Sequence, residues 1–281
     1  MITTIDGLRT RLAQARAAAG EGARVALVST IGSLHDGHID LVHTARESAD
    51  IVVVSIFVNP LRFATVAEFE GYPRTPDEDE ALLHSLGVDV VFAPTRDELL
   101  PPGSATKVGA GDLGLRYEGR SRPFYFDGLL TVEAKLLNLV RPDIAVYGLR
   151  DRQRVFLVKR MIRDLFFDVE VVEVDTVRGD DGLPVSTRVG MLDDADLAAA
   201  AKLPRALDAA ASNADRGVDA CIAAAQSALM GEPRITLEYL SVVDPDSFLP
   251  VDEGHEGRAI ALIAATVAGH RFVDNAEIYI H

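Results

Sequence analysis

Residues 24–38 read Arg24-Val-Ala-Leu-Val-Ser-Thr-Ile-Gly-Ser-Leu-His-Asp-Gly-His38, and they give the clearest indication of the fold class. Its opening centres on consecutive apolar side chains, which is typical of a strand covered on both faces in a parallel sheet. A turn containing glycine follows, and apolar Leu41, Val42 and Ala45 then recur at helical spacing. The stretch therefore predicts a strand, a turn and a helix in succession, the opening of a β-α-β unit.

Further apolar runs of the same kind follow along the chain, and helical patterns lie between most of them. A strong helical pattern after the fourth run places Phe156, Leu157, Met161 and Ile162 on one side. Buried strands that alternate with helices predict an α/β fold with a doubly wound parallel sheet of the Rossmann-like kind. The predicted strands are residues 24–29, 51–58, 88–93, 143–147 and 169–174, and the two clearest helices are residues 38–49 and 153–166.

The pattern changes after about residue 176. Two alanine-rich helical stretches, residues 193–214 and 218–229, precede segments that alternate like half-buried antiparallel strands. We therefore predict a Rossmann-like domain over residues 1–175 that binds the ligands, and a smaller α+β lid domain over residues 176–281. The turn at residues 179–182 is the predicted hinge or mobile loop. The predicted antiparallel strands are residues 235–243, 259–264 and 271–280.

Composition excludes several classes of function. The hydrophobic content of 48% supports a folded core, and the formal net charge of −15 with no basic block argues against nucleic-acid or anionic-membrane binding. The single cysteine, Cys221, excludes an internal disulfide framework and a cysteine-ligated zinc site. Because no segment approaches about 20 uncharged apolar residues and no export signal is present, we expect a cytoplasmic protein without a membrane span.

The sharpest motif is Thr30-Ile-Gly-Ser-Leu-His-Asp-Gly-His38, between the first strand and the first helix. Gly32 and Gly37 let a ligand approach the backbone, and a helix N-terminus offers N–H groups to phosphate. The imidazoles of His35 and His38 can donate to phosphate oxygens and stabilise charge that develops at phosphorus. The alternatives are two histidines that satisfy a turn, or a metal-binding pair.

A second motif, Pro184-Val-Ser-Thr-Arg188, brings two hydroxyls and a guanidinium together. These groups suit a triphosphate. Taken alone, however, such a triplet is also common on protein surfaces.

A third motif, Tyr147-Gly-Leu-Arg-Asp-Arg-Gln-Arg154, follows the fourth strand. Carboxyl ends of parallel strands are where open α/β sheets bind ligands, so the three arginines indicate an anion site. A solvated helix end is the alternative. Because alternate residues do not share one helical face, we predict that Arg152 faces solvent.

These motifs and their order resemble the pantothenate synthetase family, within the superfamily of nucleotidyltransferases that carry a HIGH motif. The likeness extends over almost the whole chain. Further matching segments are Ser55-Ile-Phe-Val-Asn-Pro60, Tyr72-Pro-Arg-Thr-Pro-Asp77, Arg122-Pro123, Thr131-Val132 with Lys135-Leu136, and Arg141-Pro-Asp143.

The resemblance implies an ATP-dependent, amide-forming ligase that works in two steps. A carboxylate attacks the α-phosphorus of ATP and releases pyrophosphate, and an amine then attacks the acyl-adenylate to give an amide and AMP. Mg²⁺ accompanies ATP, the partners are a small carboxylic acid and a small amine, and the family is usually dimeric, so we expect a homodimer. No resident metal site is implied.

The resemblance also assigns roles to individual residues. His38 takes the position of the family's proton donor, with His35 beside it on the phosphates, and Arg150 and Arg188 complete the catalytic set. Asn59 and Arg122 support the site, and Val177 contacts the adenine. The ATP-binding positions are Ile31, Gly32, Ser33, Leu34, His35, Asp36, Gly37, His38, Gly148, Leu149, Arg150, Asp151, Val177, Val185, Ser186, Thr187 and Arg188.

Departures from the family pattern concern the acid. Two glutamines that hold pantoate in the family align with Arg62 and Arg154, and the family's phosphate-binding lysine aligns with Arg150. Arginine offers only donors and a permanent charge, whereas glutamine offers both a donor and an acceptor. We therefore expect Arg62 and Arg154 to clamp an acid more anionic than pantoate, in a site that is locally positive.

Three alternatives remain open from the sequence. The first is an orthodox pantothenate synthetase that joins pantoate to β-alanine. The second is a nucleotidyltransferase that acts on a phosphorylated or phosphonate substrate. The third is a non-catalytic binding protein derived from the ligase family.

Overall fold

The computed structural model of the protein describes residues 1–63 and 65–281. The chain divides into two compact units, the first formed by Met1–Leu149 and Arg154–Asp175 and the second by Arg150–Gln153 and Thr176–His281. The second unit therefore includes the short segment Arg150–Gln153, which the sequence-based division assigns to the N-terminal domain. Over the described ranges, no helix is both long and apolar enough to cross a bilayer.

A five-stranded parallel sheet forms the centre of the first unit, with the strand order β3-β2-β1-β4-β5. The predicted α/β class with a doubly wound parallel sheet is confirmed, and each of the five predicted strands is present. Because β1 has β2 on one side and β4 on the other, the order reverses at β1, where open α/β sheets bind ligands. The strands are β1 (Val25–Thr30), β2 (Ile51–Ile56), β3 (Val90–Phe92), β4 (Ile144–Gly148) and β5 (Glu170–Val174).

The register of β1 explains why its sequence is an apolar run. Val25 pairs with Ile51, and the pairing continues without a shift to Thr30 and Ile56. The side chains on both faces of β1 are buried from Val25 to Val28, so neither face tolerates a polar residue.

In the chain up to Asp175, α-helices precede the first strand of the sheet and lie between the successive strands. Among them, α7 contributes Phe126, Leu130 and Leu136 to the core, which explains its apolar sequence. Short 3₁₀ turns occur at Pro60–Arg62, Asp112–Leu115 and Leu149–Asp151. The α-helices are α1 (Ile5–Ala19), α2 (Asp36–Ser48), α3 (Val66–Glu70), α4 (Pro76–Ser85), α5 (Arg96–Leu99), α6 (Glu118–Ser121), α7 (Tyr125–Val140) and α8 (Arg152–Asp164).

The second unit contains α-helices and an antiparallel sheet in the order β6-β7-β8. The alternating sequence pattern predicts these antiparallel strands but not their order. The predicted helix over residues 193–214 is two helices, because Pro204 has no N–H to donate to the carbonyl of Ala200. Cys221 is buried in the core of this unit. The elements are α9 (Asp194–Ala200), α10 (Lys202–Ala211), α11 (Val218–Leu229), β6 (Ile235–Val243), β7 (Gly257–Val267) and β8 (His270–Ile280).

Candidate active site

Residues 31–38 form a tight loop, the glycine-histidine loop, between β1 and α2. Gly32 has a φ of 79° and Ser33 a φ of 54°, so the chain turns through two consecutive left-handed residues. A Cβ at Gly32 would lie 3.1 Å from Ile56 Cγ2 and 3.1 Å from a carboxylate oxygen of Asp79. Only glycine combines this backbone conformation with so close an approach.

Asp79 of α4 holds the glycine-histidine loop through its backbone. The N–H groups of Ser33 and Leu34 donate to Asp79 Oδ2 and Oδ1, each at 2.9 Å, and the Thr75 hydroxyl donates to Oδ1 at 3.1 Å. Asp79 is 3% exposed, so these hydrogen bonds are shielded from water. In the sequence, Asp79 looks like one more acid in the first turn of a helix, where acids are common, so nothing there marks its role.

His35 and His38 lie at the N-terminus of α2, with ring centroids 4.1 Å apart. The backbone N–H of His35 donates to His38 Nδ1 at 3.3 Å. Since Nδ1 accepts this bond, the proton of the neutral His38 imidazole resides on Nε2, which is therefore a donor. Gly37 makes room for the pair, because a Cβ there would lie 3.1 Å from His35 Cε1.

Asn59, three residues after the end of β2, fixes a short turn against α7. Its side-chain oxygen accepts from the N–H of Leu61 at 3.0 Å, and its amide donates to the carbonyl of Gly128 at 3.0 Å. A Cβ at Gly128 would lie 2.4 Å from Leu61 Cβ, so only glycine allows this approach. The turn carries Arg62 and so sets its position.

Arg62 and Arg122 both contact the ring of Tyr125. Arg62 Nη2 donates to the Tyr125 hydroxyl at 2.6 Å, and the Arg122 guanidinium lies over the same ring, 4.1 Å from its centroid. The Arg122 charge is matched by the buried Glu118 carboxylate at 2.5 Å. Arg62 contacts a tyrosine hydroxyl and not a carboxylate, so this contact does not balance its positive charge.

Arg62 and Arg154 line one pocket of the first unit, the arginine pocket, together with Asn59 and Glu133. Arg154 Nη2 donates to Glu133 Oε1 at 2.5 Å, and the Glu133 side chain is 5% exposed. Glu133 therefore already balances the charge of Arg154. The expectation that Arg62 and Arg154 together clamp a more anionic acid stays a prediction.

Two hydroxyls also donate to Glu133. Ser29 Oγ lies 3.0 Å from Glu133 Oε2, and the Tyr147 hydroxyl lies 3.3 Å from the same oxygen. Burial, and then the negative charge of Glu133, raise the pKa of Tyr147 well above its ordinary value. Tyr147 therefore stays a phenol and a donor. No sequence motif marks Glu133, because its contacts are made by residues distant in the chain.

The second unit brings other predicted residues together. The N–H of Val185 donates to the carbonyl of Val177 at 2.9 Å, and Arg150 Nη1 donates to the carbonyl of Val185 at 3.1 Å. Arg150, Ser186 and Arg188 line a pocket of this unit, to which β8 adds Arg271. The first three are predicted ATP-binding residues, whereas Arg271 belongs to no predicted motif.

Arg178, which follows Val177 in the chain, forms a bidentate ion pair with Asp274, at 2.7 and 2.8 Å. The Asp274 carboxylate raises the pKa of the Arg178 guanidinium through this contact. The pair ties the chain before the second motif to β8.

The prediction that Arg152 faces solvent is wrong. Its side chain is 15% exposed, because Arg152 donates to Asn275 at 3.1 Å and to Glu277 at 2.7 Å. Both acceptors lie on β8, which a helical-face argument does not take into account.

Other predicted ATP-binding residues lie at the ends of strands, in turns or at the start of a helix. Gly148 ends β4, and Leu149 and Asp151 lie in the 3₁₀ turn that follows. Thr187 is half-buried, and Asp36 is exposed at the start of α2. Within residues 1–63 and 65–281, no group of three or more His, Cys, Asp or Glu side chains could hold a metal ion.

Comparison with known proteins identifies relatives along the full chain. The family model described as pantoate-beta-alanine ligase matches residues 1–277. A pantothenate synthetase from Leifsonia xyli is 47% identical, and the alignment covers 99% of each chain. The crystal structure of the pantothenate synthetase from Thermus thermophilus has a TM-score of 0.90 at 40% identity, with 99% of each chain covered. A pantoate-beta-alanine ligase from Francisella tularensis, complexed with beta-gamma ATP and beta-alanine, has a TM-score of 0.79 at 28% identity, with 98% of this chain and 97% of that chain covered.

Proposed function

Because this chain belongs to the pantoate-beta-alanine ligase family, we propose that it joins pantoate to β-alanine at the expense of ATP. The observation that carries the proposal is the glycine-histidine loop, in which His38 presents an Nε2 donor at the N-terminus of α2. A helix N-terminus beside two imidazoles suits the phosphates of a nucleotide.

The proposed reaction has two steps. In the first, a carboxylate oxygen of pantoate attacks the α-phosphorus of ATP, the bond to the bridging oxygen breaks, and pyrophosphate leaves. In the second, the amine of β-alanine attacks the acyl carbon, a C–N bond forms, the amine loses a proton, and AMP leaves. The proposal requires donors that stabilise the charge on the phosphate oxygens in both steps.

His38 is the residue best suited to that role. Its Nε2–H donates to a phosphate oxygen without a change of protonation state, because Nδ1 is already engaged by the backbone of His35. Asp79 keeps the loop in one conformation, so the donor is positioned before ATP binds.

Arg150, Ser186 and Arg188 are the proposed phosphate-binding residues of the second unit. Guanidinium groups match phosphate oxygens in pairs of hydrogen bonds, and the hydroxyl adds a further donor. Mg²⁺ enters the proposal as the ion that accompanies the phosphates of ATP, and no step is assigned to it.

The identity of the acid is the more specific part of the proposal. The sequence-based expectation of an acid more anionic than pantoate stays a prediction, and the pairing of Arg154 with Glu133 argues for a monocarboxylate instead. The cytoplasmic location and the homodimer implied by the resemblance also stay predictions.

The test is carboxylate-dependent exchange of labelled pyrophosphate into ATP, with pantoate, malate-like diacids and phosphono acids as separate substrates. We expect exchange with pantoate, and formation of an amide and AMP when β-alanine is added. Exchange with the diacids and not with pantoate would identify a more anionic acid as the substrate. A stable nucleotidyl product with phosphorylated or phosphonate compounds would show that the protein is a nucleotidyltransferase and not a ligase.

A further inference from the structure

We propose that Glu133 sets the charge of the acid that the arginine pocket accepts. It cancels the charge of Arg154 and leaves that of Arg62, so that the pocket selects a single carboxylate. The inference rests on the proposed function, because it concerns the acid substrate of the same reaction.

The contacts of Glu133 define its role. One carboxylate oxygen accepts from Arg154, and the other accepts from the hydroxyls of Ser29 and Tyr147. Glu133 thus has hydrogen-bond partners from β1, β4 and α8, and it is fixed in place from several sides. A carboxylate held in this way has a defined position relative to a bound acid.

Glu133 also positions Arg154. The same guanidinium nitrogen that donates to Glu133 lies 3.4 Å from the carbonyl of Ser29, and the guanidinium carbon lies 5.2 Å from the centre of the Tyr147 ring. Arg154 is therefore directed toward protein partners that include a carboxylate, whereas Arg62 of the same pocket contacts the Tyr125 hydroxyl.

Burial makes this charge balance matter for binding. The side chains of Glu133 and Arg154 are 5% and 19% exposed, so water screens their charges less than it would at the surface. A monocarboxylate meets one positive charge, that of Arg62, whose contact with the Tyr125 hydroxyl supplies no carboxylate. A second carboxylate on the acid would be repelled by Glu133 or would have to displace it from Arg154.

The experiment measures pyrophosphate exchange with pantoate and with a malate-like diacid, and compares the ratio of the two rates between variants. In Glu133→Gln, the charge of Arg154 is no longer balanced, and we expect the diacid-to-pantoate ratio to rise by about tenfold or more. Glu170→Gln is the matched control, because Glu170 loses the same charge from a solvent-exposed pair with Arg24. The control ratio should equal that of the wild type.

Since Glu133→Gln leaves a half-buried arginine without its carboxylate partner and such a protein can fail to fold, the reverse variants complete the test. Arg154→Gln keeps the Glu133 charge, so exchange with pantoate should fall by about tenfold or more. The double variant Glu133→Gln with Arg154→Gln restores one net positive charge, and exchange with pantoate should recover. A purely structural role would give a double variant at least as impaired as Arg154→Gln.

The outcomes separate this inference from the proposed function. Wild-type protein that shows no exchange with any acid contradicts the proposed function. Wild-type exchange with pantoate, together with an unchanged ratio in Glu133→Gln or no recovery in the double variant, overturns the role of Glu133 and leaves the ligase intact.

Discussion

The glycine-histidine loop and the arginine pocket are built in different ways. The loop is a continuous stretch of chain, and a single carboxylate, that of Asp79, holds its backbone. The pocket is a set of side chains from separate elements, and its charge depends on which arginine has a carboxylate partner. The loop is therefore sensitive to changes in backbone geometry, and the pocket to changes in charge.

His38 should give the largest effect, because it is the donor that we propose to contact the phosphates of ATP. We expect His38→Ala to lower kcat/KM for ATP by about 10²–10³-fold, the range for loss of one positioned hydrogen-bond donor to developing charge. His43→Ala is the control, since His43 is exposed on the same helix. Steady-state kinetics with ATP as the varied substrate measure both, and equal activity of the two variants would remove His38 from the reaction.

Asp79→Asn tests whether Asp79 holds the glycine-histidine loop in place, and we expect a smaller effect than for His38→Ala. The amide of asparagine replaces one of two acceptors, so a backbone N–H loses its partner, at a cost of about 1–3 kcal/mol in the free energy of unfolding. We expect KM for ATP to rise by about tenfold, and KM for the acid to change little. Asp77→Asn on the exposed side of α4 is the control. Urea unfolding and kinetics provide the measurements, and parallel increases in both KM values would show general damage instead.

The sequence predicts the fold well because the signals for the elements are local. Apolar runs mark β1 to β4, since a strand buried on both faces cannot contain many polar residues. β5 is half-buried or exposed along its length, and its valines mark it despite two glutamates. The break between α9 and α10 is not predicted, although Pro204 is its local cause. Alanine-rich sequence on both sides masks the interruption.

The candidate site is predictable only in part, for a physical reason. The glycines and histidines of the loop are adjacent in the chain, so their spacing reveals their arrangement. Asp79 and Glu133 act on residues that lie 46 and 21 positions away in the sequence, and only the tertiary structure brings them into contact. The charge of a pocket therefore cannot be read from its arginines alone.

Gly128→Ala should affect the arginine pocket and leave the loop intact. Its Cβ would overlap Leu61, so the turn that carries Arg62 must move. Overpacking of this kind costs about 1–3 kcal/mol in the free energy of unfolding. We expect a higher KM for the acid with an unchanged KM for ATP. Gly109→Ala is the control, because nothing lies within 4 Å of a Cβ at Gly109. Changes in KM for ATP alone would contradict the assignment of this turn to the acid.

Ser29 and Ser55 offer the finest comparison, since they are register partners on β1 and β2 and carry the same hydroxyl. Ser29 Oγ donates to Glu133 at 3.0 Å, whereas the buried Ser55 Oγ has no hydrogen-bond partner among the residues that the structure describes. We expect Ser29→Ala to raise KM for the acid by about fivefold, which corresponds to about 1 kcal/mol for one hydrogen bond. Ser55→Ala should leave KM unchanged and keep the free energy of unfolding within about 0.5 kcal/mol of the wild type, because the hydroxyl that it removes makes no bond. Kinetics with pantoate and urea unfolding of both variants test the pair. If Ser55→Ala changed KM as much as Ser29→Ala, the effect would come from the packing of the two strands and would say nothing about the hydrogen bond to Glu133.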